Sequence, residues 1–246
     1  MPVDPYNLID KAKRYYAFSK IELRWLLVSI LVMAFIVGFN DGREKFELQF
    51  WLANFLLALI AVAIAVFVHE TAHRVTGLEQ GYKTTYKPFF YGLIAGLILS
   101  FMSYGKIIFL AYGGVFINII EKHRIGYFRY QLGYFHLGAV SLMGPVANMV
   151  VAIFFKAVPI LPQPLTDKIV IVNLLFALTN MLPLPVLDGI QVLFASRWLY
   201  FLSYGAMAGI TIFMLKGFTW WVIILGSILA ALIFWLGYYF VIEKKL

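Results

Sequence analysis

Cysteine is absent from this 246-residue chain, which excludes disulfides, thiolate metal sites, iron–sulfur clusters and a cysteine nucleophile. Charge is scarce as well. Asp, Glu, Lys and Arg make up 13% of the residues, about half the share of a typical water-soluble domain. Acidic residues are the scarcer sign, 12 against 20 basic, so a carboxylate far from the ends of an apolar run stands out. The space is filled by apolar residues, 63% of the chain against roughly 45–50% in soluble domains. That surplus needs an apolar solvent, and the solvent is a lipid bilayer. Disordered chains, coiled coils, small disulfide-stapled domains and most soluble enzymes are excluded. The formal charge of +8 would raise the question of nucleic acid in a soluble protein, but here the basic residues must first be placed relative to the membrane.

A helix crossing the hydrocarbon core needs about 20 largely apolar residues. That ruler finds runs near 25–39, 51–75, 136–158, 169–187, 198–215 and 219–242, an expectation of six crossings. The first run follows Lys11, Lys13, Arg14, Lys20 and Arg24 with no small-residue cleavage site, so it reads as a retained helix rather than a signal peptide. Residues 6–18 mix Leu8, Ile9, Tyr15, Tyr16 and Phe18 with basic residues, which suits an interfacial amphipathic helix or a solvated tail. A seventh apolar run, 89–101, is short and contains Gly92 and Gly96; it reads as a re-entrant segment. After it, Ile107–Tyr112 and Val115–Ile120 flank Gly113-Gly114, the signal of a β-hairpin. The expected fold is an all-α polytopic membrane protein with a short re-entrant segment and a β-hairpin between its second and third crossings. Residues 1–20 form a cytosolic or interfacial segment and 21–246 a single membrane-embedded domain.

Charge sets the expected orientation. With six crossings and the N-terminus inside, fifteen basic residues face the cytosol, among them Arg74, Lys83, Lys87, Lys106, Lys122, Arg124, Arg129, Arg197, Lys244 and Lys245. Arg43, Lys45, Lys156, Lys168 and Lys216 remain outside. This bias satisfies the positive-inside rule with both termini cytosolic. The net positive charge then meets anionic lipid, and nucleic acid is not needed as a partner.

The informative residues are the ionisable ones inside apolar runs. The second run reads without charge from Trp51 to Val68 and then as His69-Glu70-Thr71-Ala72-His73. Histidines at i and i+4 share a helix face, so both imidazoles can reach one metal with the glutamate beside it, the pattern of zinc hydrolases. Leaving three ionisable groups at a membrane helix end without a partner would cost several kcal/mol. A catalytic zinc needs a third protein ligand and an open position. Candidates are Asp188, His123 and His136. Asp188 is the only acid between Asp167 and Glu243, and it follows Pro183 and Pro185, which break the fourth crossing. An isolated carboxylate beside a broken helix at membrane depth is best explained as a metal ligand. His123 sits in a charged run and reads as a loop residue; His136 reads as an interfacial side chain. Asn148, in Gly144-Pro145-Val146-Ala147-Asn148, is read either as a helix–helix hydrogen bonder or as a substrate-binding residue. Asn180, two turns above Asp188, is read either as a helix–helix contact or as a donor to substrate.

Three motifs in this order resemble the site-2 protease family of intramembrane zinc metalloproteases: His69-Glu70-x-x-His73, Gly144-Pro145-x-x-Asn148, and Asn180-x-x-Pro183-x-Pro185-x-Leu187-Asp188-Gly189. The resemblance covers about 50–195. It implies one Zn2+ held by His69, His73 and Asp188, Glu70 as general base, and Asn180 in substrate positioning. It also implies a hairpin near 104–120 whose edge holds an unwound substrate strand. PDZ and CBS modules, found in many relatives, are not expected, because the longest soluble gap, about 102–135, is too short for them.

The expected activity is hydrolysis of a peptide bond in or near a transmembrane segment of a membrane-protein substrate. Two rivals are weighed. A metal transporter should show paired ionisable residues on several helices or an inverted repeat, and neither is visible. A proteolytically inactive, helix-binding homologue usually lacks the glutamate base, yet Glu70 is present.

Overall fold

The computed structural model describes residues 5–119 and 133–245. The chain is mostly helical: α1 (Pro5–Tyr15), α2 (Lys20–Gly38), α3 (Leu48–Gln80), β1 (Tyr82–Pro88), α4 (Phe90–Met102), β2 (Gly113–Ile119), α5 (Tyr134–Ala157), α6 (Gln163–Asn180), α7 (Asp188–Ala195), α8 (Arg197–Leu215) and α9 (Trp220–Val241). Five of these, α2, α3, α5, α8 and α9, are long and apolar enough to cross a membrane. His123 and the neighbouring basic residues Lys122, Arg124 and Arg129 lie outside the described residues.

The bounds of the sixth expected crossing, 169–187, are corrected. Its helix is α6, which begins six residues earlier at Gln163 and stops at Asn180; 181–187 is not helical. With Gln163, Asp167, Lys168 and Asn173 in its length, α6 is not among the helices apolar enough to span. Protein rather than lipid surrounds it. Ile169, Val172 and Phe176 point into a core shared with α2, α3 and β1, while Val170, Leu174 and Ala177 point into a second core shared with α5, α7 and α8. At the other extreme, α9 buries only Ile223, Ser227 and Tyr238, and Trp221, Leu225, Leu229 and Ile233 stand exposed. It is held by α8 at close range: a Cβ on Gly209 would lie 2.7 Å from Ser227 Cα, and one on Gly205 2.9 Å from Ala231 Cα. Small residues four apart allow such backbone approach where the hydrophobic effect offers no drive between helices.

The two-stranded element also departs from expectation. An antiparallel pair does lie between the second and third spanning helices, but its strands are 82–88 and 113–119, in the register Tyr82↔Ile119 to Pro88↔Gly113. Gly113-Gly114 opens β2 instead of turning a hairpin, and residues 107–112 form no strand. The connection is α4, the expected re-entrant run. At 13 residues it is about 20 Å long, short of a hydrocarbon core of about 30 Å. Alternation marks β1: Tyr82, Thr84 and Tyr86 are buried, and Lys83 and Lys87 are exposed.

What pins β1 is a buried ion pair absent from the sequence reading. Glu22 closes a capping box at the start of α2, accepting from Ser19 N at 2.7 Å while Ser19 Oγ accepts from Glu22 N at 3.2 Å. Its other oxygen accepts from Arg74 Nη2 at 2.8 Å and from Tyr86 N at 2.9 Å. Arg74 also donates to Thr84 O at 3.1 Å, and its guanidinium lies 3.7 Å from the Phe18 ring centroid. The outer edge of β1 is thus sealed by two side chains from helices. The N-terminal segment docks on the same end of α3, through Tyr16 OH and Thr71 Oγ1 at 2.9 Å and through Lys11 Nζ donating to Leu78 O at 3.2 Å.

Breaking a buried pair from one side leaves a charge without compensation. Arg74→Met is therefore expected to lower stability by about 3 kcal/mol, read as a fall in Tm of the detergent-solubilised protein. The double variant Glu22→Gln/Arg74→Met should recover most of that loss, and a double variant whose loss equals the sum of the two single losses would show that the two side chains are not coupled.

Candidate metal centre

Two elements converge on the centre. α3 places His69 and His73 one turn apart on one face, their rings 4.5 Å apart at 86°. Asp188 is the first residue of α7, delivered by the irregular segment 181–187, in which Val186 has φ +77°. That value is uncommon for a β-branched residue, and the loop is hemmed in: a Cβ on Gly114 of β2 would collide with Val186 O. The ligand-capable atoms of His69, His73 and Asp188 lie within 4.8 Å of one another, and each residue is 1% exposed.

Hydrogen bonding fixes which atoms face inward. Asn148 on α5 donates through Nδ2 to Ala65 O at 2.9 Å and to Asn173 Oδ1 at 2.8 Å. Its Oδ1 must therefore be what faces His69 Nδ1 at 2.6 Å, so Nδ1 carries a proton and, in the neutral ring, Nε2 keeps a lone pair. His73 Nδ1 donates to Val140 O at 2.8 Å, leaving its Nε2 in the same state. Both Nε2 atoms then face the Asp188 carboxylate, His69 Nε2 at 2.9 Å from Oδ2 and His73 Nε2 at 3.4 Å from Oδ1. His73 Nε2 and Asp188 Oδ1 are buried with no hydrogen-bond partner. With both rings neutral, four acceptors aimed at one another in a dry interior repel unless a proton or a metal ion lies between them. Two imidazoles and a carboxylate, each imidazole steadied through its other nitrogen, form a donor set that could hold a metal ion.

Space for the imidazoles comes from α5. A Cβ on Gly144 would land on His73 Nε2 and 2.7 Å from His69 Cε1. On the other side, Phe176 of α6 meets the His69 ring edge-on at 5.0 Å. Arg74, next to His73 in sequence, would repel a cation, but its guanidinium is directed to Glu22 and Thr84. Gln191 holds α7 in register, accepting from Ser141 Oγ of α5 at 2.8 Å and donating to Val115 O of β2 at 3.1 Å.

Glu70 is 1% exposed beside the centre, and Oε1 accepts from Tyr112 OH at 2.7 Å. Of the two asparagines, Asn148 has both amide protons committed to protein acceptors and its oxygen to His69. Asn180 ends α6; Nδ2 donates to Phe176 O at 2.9 Å, and Oδ1 is buried without a partner. No hydrogen bond among the described residues joins Asn180 to the His–Asp group. His136 is exposed and faces Gln80 Oε1 at 3.2 Å. Sequence reading missed Asn173, Gln191 and Tyr112. Asn173 carried a signal, a lone amide in the apolar run Ile169–Leu178, whereas Tyr112 looks like any aromatic residue of an apolar stretch.

No family model matches the chain, and neither a curated protein nor a solved structure matches it.

Equilibrium dialysis against a divalent transition metal is expected to load about one ion per chain, with Asp188→Ala and His73→Ala losing it. Gly144→Ala should lose the metal as well, although it removes no ligand. Asn148→Ala should keep the site but weaken it by roughly 10–100-fold, the usual cost of removing a group that orients a ligand. Equal loading by wild type and Asp188→Ala would refute the ligand set.

Proposed function

We propose that this chain is an intramembrane zinc metalloprotease of the site-2 type, which hydrolyses a peptide bond in or near a transmembrane segment of a membrane-protein substrate. The observation that carries the reading is the convergence of the acceptor atoms of His69, His73 and Asp188, with Glu70 beside them on a helix apolar enough to cross a membrane. Two nitrogens and one carboxylate suit zinc, and three protein ligands leave a position open for chemistry. Bound there, zinc supplies the Lewis acidity that polarises a carbonyl and makes water a nucleophile near neutral pH.

Glu70 takes the proton of the attacking water and returns it to the leaving amine. Asn148 and the Val140 carbonyl keep the two imidazoles in the ligating tautomer through the cycle. A transmembrane helix hides its carbonyls in internal hydrogen bonds, so the substrate must unwind locally, and helix-destabilising residues near the cleavage point favour it. The sheet suggests a docking mode for the unwound segment, a strand paired with β2 beyond Val115, whose own carbonyl accepts from Gln191. With α6 counted as a sixth crossing inside the bundle and most basic residues on the cytosolic side, both termini and the water supply face the cytosol. Glu70 weighs against the inactive-homologue alternative.

The test is zinc per chain and cleavage of a designed transmembrane substrate by purified wild type and Glu70→Gln. Zinc should stay near one per chain in both, while cleavage falls by about 10²–10⁴-fold in the variant. Equal cleavage by both proteins would end this reading.

A further inference from the structure

Tyr112 belongs to no helix or strand and is 1% exposed. Its hydroxyl donates to Glu70 Oε1 at 2.7 Å. A phenol bonded to a carboxylate at this distance is a charge-assisted contact, stronger than a bond between neutral groups. The phenol can donate to the carboxyl whether or not the carboxyl holds a proton, so the contact survives a proton transfer.

The hydroxyl is itself placed by a fixed ring. Tyr112 stacks on Tyr86 with centroids 5.2 Å apart at 16°, and its ring meets Phe176 at 4.8 Å. Its carbonyl accepts from Phe89 N at 2.9 Å and from Tyr86 OH at 3.0 Å. Tyr86 has one hydroxyl proton, used on that carbonyl, so Ser29 Oγ at 2.7 Å must be the donor to Tyr86 OH. The order of donation runs from Ser29 on α2 to Tyr86 on β1, then through the backbone of Tyr112 to Glu70 on α3. A side chain tied at ring, carbonyl and hydroxyl is a brace, not a loose plug over the centre.

We propose that Tyr112 is a positioning residue for Glu70: it holds Oε1, so that the other carboxylate oxygen is presented to the attacking water, and Tyr86 and Ser29 set the hydroxyl in place. The proposal rests on the protease reading and adds to it a residue outside the three motifs. A glutamate has three side-chain torsions to freeze, and one carboxylate oxygen fixed from outside leaves a single orientation for the other.

The experiment uses the full chain loaded with zinc, in detergent, with the designed transmembrane substrate. Tyr112→Phe keeps the ring, its stacking on Tyr86 and its volume, and removes only the hydroxyl. The expected result is a kcat lower by roughly 10–100-fold, with KM changed by less than about twofold and zinc content unchanged. Tyr86→Phe, which acts only through Tyr112, should lose less. An unchanged or raised kcat in Tyr112→Phe, or an effect on KM alone, would overturn the proposal.

Infrared spectra of the metal-free protein give a readout independent of turnover. The Glu70 carboxyl bands, identified by their loss in Glu70→Gln, should shift in Tyr112→Phe; bands that stay in place would also overturn it. Bands that shift in Tyr112→Phe while the zinc-loaded wild type cleaves nothing would count against the protease reading and leave the Tyr112 contact standing.

Discussion

The structure turns on four acceptor atoms that face one another in a dry interior: two imidazole nitrogens and two carboxylate oxygens. In water such a group would be dispersed by solvation; in an apolar bundle it needs a shared proton or could hold a metal ion. Several polar groups nearby keep it in that state. Asn148 and the Val140 carbonyl select the tautomers, Asn173 and the Ala65 carbonyl orient Asn148, and Gln191 with Ser141 fixes the helix that begins with Asp188. A wrong tautomer at either histidine would turn an acceptor into a donor and let Asp188 satisfy the site with a hydrogen bond instead of a metal.

The helices divide the work of solvating this group. α9 and the outer faces of α2 and α3 expose apolar side chains, which is how a chain in lipid looks from outside. α6 does the opposite: it is buried on two sides and joins both cores. It is too polar to stand in lipid alone because it carries Asn173, which orients Asn148, and Asn180 at its end. The chain breaks at the exposed Pro183 and Pro185, and two of the carbonyls freed just before them are taken by donors of the protein. Tyr200 OH donates to Met181 O at 3.1 Å, and Leu184 N donates to Leu182 O at 2.8 Å.

Much of the metal centre was legible in the sequence for one physical reason. Ionisable residues are rare and costly in apolar runs, so His69, Glu70, His73 and Asp188 stand out individually, and the i, i+4 spacing places two of them on one helix face. Partnerships formed across the chain were not legible. Glu22 and Arg74 are 52 residues apart, and each counts as an ordinary end charge until the fold brings them together. The sheet was located but misread, because two glycines between β-branched residues imitate a tight turn. Its true partner strand, Tyr82–Pro88, alternates as a half-buried strand should, but its two lysines mark it equally well as a loop. The end of α6 was misplaced because the apolar run continues through 181–187, where Pro183 and Pro185 have no place in a helix.

Dryness also explains why the neighbours of Glu70 are aromatic. A carboxylate sealed among apolar groups needs at least one good donor, and a charged donor in that place would add a second cation next to the metal ligands. Arg74 shows the difficulty: one residue from His73, it is turned away and neutralised by Glu22. A phenol supplies the hydrogen bond without the charge, and its ring packs against Tyr86 and Phe176 like any core residue. Among the described residues no lysine or arginine bonds to Asp188 or Glu70, so the two carboxyl groups face a centre that could hold a metal ion.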